Sequence, residues 1–247
     1  MQFGQVWDDA DPDNAPIRLE EAIDEIRRHD ADIIQLQEVE HARAGGGQTQ
    51  PPPNYERLRA ALPGYHGYFS YPKDDARELP FGIGLAIFAR TPLADTFAEV
   101  LPSPPVEFDF YGEKKTPTDR LLIGATTEIG GRSLRLLNTH LLAFFMLKTD
   151  SRKHPGQRAQ IAGHLRAAGN APTILSGDFN TRDHEGLAAE YAACGFSTVQ
   201  TREITWRRQP YVLDHIFHNA PLRCVDRKVV PTMSSDHHAL VADFVFV

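Results

Sequence analysis

The segment Ser176-Gly177-Asp178-Phe179-Asn180 follows directly on the apolar run Pro172–Leu175. A strand that closes on a carboxylate and an amide delivers both to the C-terminal edge of a sheet, where open α/β folds bind their ligands. Asp178 can hold a hard cation or accept a proton, and Asn180 can orient a water or a phosphoryl oxygen. Taken alone, the segment is equally good turn chemistry, because Gly, Asp and Asn each favour turns. Further polar groups close other strand-like runs: Glu38, His140 in Asn138-Thr139-His140, Asp214 in Leu213-Asp214-His215, and Asp236-His237-His238. Any one of them reads as a strand end facing solvent. Together they do not, since a sheet edge needs only turn formers and not this repeated choice of carboxylate, amide and imidazole.

Phosphoryl transfer is the chemistry these groups can share. Mg²⁺, with Mn²⁺ as a substitute, takes hard oxygen ligands and is commonly held by one or two carboxylates plus the substrate. Glu38 is the best single ligand candidate, because it ends an apolar strand where an unpaired carboxylate is costly. A bound ion would polarise the phosphoryl oxygen and help stabilise the leaving oxygen. His140 or His237 could donate to the anionic transition state. An Asp hydrogen-bonded to an imidazole fixes its tautomer and favours its charged form.

The elements that must position these groups alternate between strand and helix. Leu19, Ala22, Ile23 and Ile26 recur at helical spacing, so Ile17–His29 reads as an amphipathic helix before the strand Ile33–Val39. A short helix, Tyr55–Leu62, and strands Tyr65–Tyr71 and Ile83–Arg90 follow. Pro102–Thr118 reads as irregular, and Leu121–Ile129 with Ser133–Leu141 as a hairpin turning at Gly130-Gly131. Helices Gln157–Ala168 and Glu185–Ala193 bracket the strand Thr173–Ser176, and three strands close the chain at Val212–Phe217, Leu222–Val230 and Ala239–Val247. Many strands with few helices suggest two packed sheets with helices outside.

Composition narrows the function classes. The 33 acidic and 26 basic residues leave a net charge of −7, which argues against a protein that grips long nucleic acids through a basic stripe. No stretch is a transmembrane segment. Met1-Gln2-Phe3-Gly4 runs into the acidic Asp8–Asp13 stretch and does not read as a signal peptide; with Cys194 and Cys224 as reduced thiols, the expected compartment is the cytoplasm.

Taken in order, Ile34-Gln35-Leu36-Gln37-Glu38, Asn138-Thr139-His140-Leu141, Gly177-Asp178-Phe179-Asn180, Leu213-Asp214-His215-Ile216 and Ser235-Asp236-His237-His238 resemble the motifs of the endonuclease/exonuclease/phosphatase superfamily. The resemblance spans nearly the whole chain and implies one domain over residues 1–247. Its implied architecture is an α/β four-layer α/β/β/α sandwich of two mixed sheets with outer helices. It makes Glu38 the metal ligand, with Asp236 beside the metal. Asp178 activates or positions the attacking water, Asn180 orients that water or the phosphate, and His140 contacts the scissile phosphate. His237 pairs with Asp214, and this pair and Asp178 have competing claims to be the general base. His215 and His238 are read as structural or solvent-facing, because strand alternation turns neighbours to opposite faces. The family begins with a buried strand ending in an aromatic residue and an Asn that helps to hold the metal. Met1-Gln2-Phe3-Gly4 resembles the residues after that Asn, so Met1 is expected to be an internal methionine with the first strand upstream. The DNA before its codon checks this: an apolar strand in frame supports it, and an in-frame stop excludes it.

The substrate is expected to be a phosphate ester, whether a phosphodiester, a phosphomonoester or a nucleic-acid end. Lys148, Arg152 and Arg158 form a basic run after the His140 strand and are candidate phosphate-binding residues, with Arg207 and Arg208 after Trp206 as a second group. Nuclease and small-molecule or lipid phosphatase both remain open. A non-catalytic relative that uses the fold as a binding scaffold is the alternative class. A zinc hydrolase is disfavoured, since neither His-Glu-x-x-His nor a paired-cysteine motif is present.

Overall fold

Leu19, Ala22 and Ile23 form the buried face of the first helix, α1 (Leu19–His29), in a computed structural model that describes residues 1–247. The chain reverses at Asp30, which takes a left-handed φ of 47°, and enters β1 (Ile33–His41). In order follow α2 (Pro53–Ala61), β2 (His66–Ser70), β3 (Gly82–Ala89), β4 (Ala94–Leu101), β5 (Phe108–Phe110), β6 (Glu113–Lys115), β7 (Arg120–Ile129) and β8 (Arg132–His140). The remainder comprises α3 (Gly156–Ala168), β9 (Thr173–Asp178), α4 (His184–Ala192), β10 (Phe196–Thr198), β11 (Asp214–Asn219), β12 (Leu222–Val230) and β13 (Ala239–Phe246). No helix is long and apolar enough to cross a membrane.

These elements stack in four layers, the α/β sandwich that the motifs imply. Leu19 and Ile23 of α1 and Tyr55 and Leu58 of α2 cover Ile34, Ala86 and Phe88 on the outer face of the sheet β1-β3-β2. Leu85 and Ile87 on the inner face meet Ile123, Leu136 and Ile174 of the sheet β10-β11-β9-β8-β7-β4. On the far side of that second sheet, Ile161 and Leu165 of α3 and Leu187 and Tyr191 of α4 pack on Leu137, Leu175 and Phe217. Each aliphatic or aromatic side chain so enclosed contributes about 1.5–3 kcal/mol.

Three details depart from the sequence reading. The first sheet is antiparallel throughout and stops at β1, while β12 and β13 form a separate hairpin, so only the six-stranded sheet is mixed. Ala94–Leu101 is a strand that the sequence reading omits; it lies at a sheet edge and is mostly exposed, so it lacks a long apolar run. The expected irregular segment 102–118 contains the short β5–β6 hairpin.

Candidate active site

Three of the strand-end residues lie level with one another because of strand register. In the parallel pair β8–β9, His140 stands opposite Asp178, and in the antiparallel pair β9–β11, Asp178 stands opposite Asp214. Gly177 permits the close approach of β9 to β8, since a β-carbon there would lie 2.1 Å from the Thr139 carbonyl oxygen. His237 reaches the group from the loop before β13, and its Nδ1–H donates to Asp214 Oδ2 at 2.7 Å. Asp178 divides its two oxygens. Oδ1 accepts from the Asn180 N–H at 2.8 Å, whereas Oδ2 lies 3.6 Å from His140 Nε2 and 3.8 Å from His237 Nε2. Those two separations exceed hydrogen-bond length, so the three groups converge on a point that a ligand oxygen could bridge.

Glu38 comes from the opposite sheet. The register of β1 on β3 shifts between Gln37 and Glu40, and Glu38 sits in this irregularity with a φ of 54°. Gly82 makes room, because a β-carbon there would lie 2.4 Å from Glu38 Cβ. A set of amide hydrogen bonds locks the two sheets at this level. Gln37 Nε2 donates to Asn138 Oδ1 at 2.7 Å, Asn138 Nδ2 donates to the carbonyls of Leu36 and Ala86 at 3.0 Å, and Gln35 Nε2 donates to the Leu137 carbonyl at 2.8 Å. Gln35, Gln37 and Asn138 thus position Glu38 against His140 and Asp178. The sequence reading assigned them no role. Their signal is polarity inside apolar inner strands, since buried amides require partners.

The electrostatics of the cluster follow from carboxylates crowded out of water. Burial, reinforced by the charge of Asp236, raises Glu38 from its ordinary 4.5 to about 7, and no protein group donates a hydrogen bond to its carboxylate. Asp178 is held well above the usual range by burial and then by the charge of Asp214. Burial opposes charge on His237, but the charge and hydrogen bond of Asp214, with Asp236 and Asp178, outweigh it and push the imidazole up to about 10. The same pairing overcomes burial at Asp214 and lowers its carboxyl. His140 is driven down to about 3 by burial and by the neighbouring Arg120, and so stays neutral. Arg120, at the start of β7, is a further residue to which the sequence reading gives no role; its charge acts on both Glu38 and His140.

The donor set suits a hard divalent cation. Asp178, Asp214 and His237 offer ligand atoms within 4.8 Å of one another, but an imidazolium that donates to Asp214 has no lone pair for a metal. Glu38 is the better anchor, as a withdrawn carboxylate with no protein donor. Asp236 lies close enough for its charge to act on Glu38, and its Oδ2 accepts from Trp206 Nε1 at 3.1 Å.

The remaining candidates sit elsewhere or serve the scaffold. Arg158, expected at the substrate, is buried instead: its side chain is 7% exposed and binds Glu190 of α4 and Ser151 Oγ. Arg152 is exposed but pairs with Asp150 and Asp183, and Lys148 is exposed on the loop after β8. Asn180 is buried, and its Nδ2 donates to the Leu141 carbonyl at 3.0 Å, which fastens that loop to the end of β9. His215 faces the helix layer, with its ring stacked on Phe217 and its Nδ1 3.1 Å from Thr198 Oγ1. Replacing Arg158 with Ala is expected to cost about 2 kcal/mol of stability through the lost charged hydrogen bonds, with kcat/KM unchanged. Thermal unfolding and steady-state kinetics check this, and a KM effect at full stability would return Arg158 to the substrate site.

A family model described as the endonuclease/exonuclease/phosphatase family matches residues 1–237. None of the curated proteins matches the sequence. An endonuclease/exonuclease/phosphatase from Bacteroides vulgatus shares 19% identity and a TM-score of 0.72, over 99% of this chain and 96% of its own. A mannosyl-6-phosphatase from Bacteroides thetaiotaomicron aligns at 16% identity and a TM-score of 0.67, over 98% and 97%. TDP2 from D. rerio, solved with a single-strand DNA product, aligns at 19% identity and a TM-score of 0.65, over 92% and 91%. At these identities the structures share the fold.

Proposed function

The chain belongs to the endonuclease/exonuclease/phosphatase family, and from that premise we propose that it is a Mg²⁺-dependent hydrolase of phosphate esters. The convergence of Asp178 Oδ2 with His140 Nε2 and His237 Nε2, at 3.6 and 3.8 Å, carries this reading. Asp178 is the general base: its free Oδ2 accepts the proton of the attacking water while the Asn180 N–H fixes Oδ1. His237 cannot compete for that role, because its Nδ1–H is committed to Asp214 and the imidazole is held charged. It donates instead from Nε2 to a phosphoryl oxygen, and His140 presents its Nε2 from the neighbouring strand. Arg120 adds fixed positive charge at the same edge. Glu38, with Asp236 beside it, would hold the cation, which when bound neutralises charge on the phosphoryl and leaving oxygens.

The substrate we infer is a compact phosphoester, not long duplex nucleic acid. Three of the basic residues that could track a backbone are already paired with acids of the chain: Arg152 with Asp150 and Asp183, Arg158 with Glu190, and Arg208 with Asp13 and Asp236. Arg207 and Arg208 also flank the Trp7 ring at 5.5 and 5.6 Å. With Mg²⁺, turnover of bis(p-nitrophenyl) phosphate and sugar phosphates is expected to change less than about twofold between 50 and 200 mM salt. A protein with 6–10 phosphate contacts would lose roughly 10³-fold or more in affinity over that range. Efficient cutting of a plasmid with that steep salt dependence would establish the nuclease reading instead.

A further inference from the structure

Three aromatic side chains that belong to none of the hydrophobic cores meet beside the catalytic cluster. Phe145 lies on the loop that follows His140, and Trp206 and Tyr211 lie on the segment that leads into β11 and Asp214. Their rings pack on one another: Phe145 is 5.7 Å from Trp206 and 5.5 Å from Tyr211, and Trp206 stacks on Tyr211 at 5.9 Å. Trp206 also reaches the cluster. Its ring lies 6.3 Å from that of His237, and its Nε1–H donates to Asp236 Oδ2 at 3.1 Å. Backbone bridges join Trp206 to Tyr211 and to His237, so the aromatic wall is fixed relative to the imidazole. Rings of this size are normally enclosed, yet all three are only half-buried, and Met146 beside Phe145 is 63% exposed. Apolar surface left in water at a catalytic edge marks a binding site. Polar groups bordering the wall are engaged within the protein: Trp206 Nε1 by Asp236, Arg208 by Asp13 and Asp236, and Thr205 Oγ1 by the Leu213 and Asp214 N–H groups. The wall therefore offers ring faces in place of hydrogen bonds, which suits a flat unsaturated ring better than a polyhydroxylated sugar.

We propose that Phe145, Trp206 and Tyr211 form the subsite for the organic group of the substrate, and that this group carries a flat unsaturated ring. The proposal rests on the phosphoester reading of the cluster. A phosphoryl oxygen held at His237 Nε2 places the carbon skeleton of its ester beside the imidazole, within reach of the Trp206 ring. Phe145 carries the wall outward through its contacts with Trp206 and Tyr211. Stacking of this kind is made in the ground and transition states alike, so it acts on KM and not on kcat. Two sources carry such a ring close to a phosphate, an aromatic alcohol and a nucleoside, and binding separates them.

Benzyl phosphonate and cyclohexylmethyl phosphonate resist hydrolysis and differ in the flatness of the ring. Their binding in the presence of Mg²⁺ is read from the emission of Trp206 in a Trp7→Phe background, where it is the single tryptophan. The benzyl compound is expected to bind about fivefold more tightly, the scale of an aromatic pair beyond its buried area. Phe145→Leu should lose that preference and Phe145→Trp should keep it. Equal affinities without the Phe145 change, or a preference that survives Phe145→Leu, overturns the proposal. Thymidine 5′-phosphate, measured in Asp178→Asn to slow its hydrolysis, names the nucleoside as source if it binds more tightly than the benzyl compound, and the aromatic alcohol if it binds more weakly. Turnover tests the underlying reading separately. A benzyl preference with no phosphoester turned over keeps the subsite and removes the hydrolase, whereas turnover of benzyl and cyclohexylmethyl phosphates with equal KM removes the subsite and keeps the hydrolase.

Discussion

Asp178→Asn is expected to lower phosphoester turnover by about 10³-fold, the scale of losing a general base, while leaving the protein folded and at least as stable. The amide keeps the shape of the carboxylate, and its oxygen can still accept the Asn180 N–H that orients it. What disappears is the proton acceptor at Oδ2, between the two imidazoles. Stability should not fall, because burial and the Asp214 charge hold the native carboxyl well above its usual range and so oppose folding at neutral pH. Kinetics and thermal unfolding measured on one preparation separate the two effects. Equal turnover by the variant and the parent would remove Asp178 from the chemistry, and no turnover by either would favour the non-catalytic scaffold reading.

Glu38→Gln is expected to abolish Mg²⁺-dependent stabilisation and to flatten the pH dependence of the metal-free protein. Folding raises Glu38 from 4.5 to about 7, so between those values the folded chain holds a proton that the unfolded chain releases. Stability of the metal-free protein therefore declines as pH rises from about 4.5 to 7, by on the order of 3 kcal/mol from this group. Below that window the penalty is absent, and above it the penalty is complete. Glutamine does not titrate, so the variant should lose this slope and be the more stable metal-free protein at pH 8. Cation binding offsets the penalty in the parent, by about 2.7 kcal/mol at one hundred times Kd. Denaturant titrations at pH 5 and 8, with and without Mg²⁺, read every arm. A Tm rise with Mg²⁺ that survives in the variant would move the cation site away from Glu38.

Much of the scaffold was legible locally. The helix Leu19–His29, the hairpin turning at Gly130-Gly131 and the strand Thr173–Asp178 follow from period and turn residues within a few positions of each element. The edge strand β4 was not legible, because a half-exposed strand need not carry an apolar run. Arg158 illustrates the opposite failure. A basic residue in a basic run reads as a surface phosphate ligand, yet Glu190, 32 residues away in sequence, draws it into the space between α3 and α4.

The sequence by itself determined the residue types at the strand ends and their order, because alternation, strand termination and turn chemistry are short-range properties of the chain. Only the tertiary structure decided that His140, Asp178 and Asp214 share one level, through the pairing of β8, β9 and β11. It alone decided that Gln35, Gln37 and Asn138 clamp Glu38 against them across two sheets, and that crowding raises two carboxyls while lowering a third. Register, burial and electrostatic coupling are set by segments distant in the chain, as far apart as Gln37 and Asn138, which 101 positions separate.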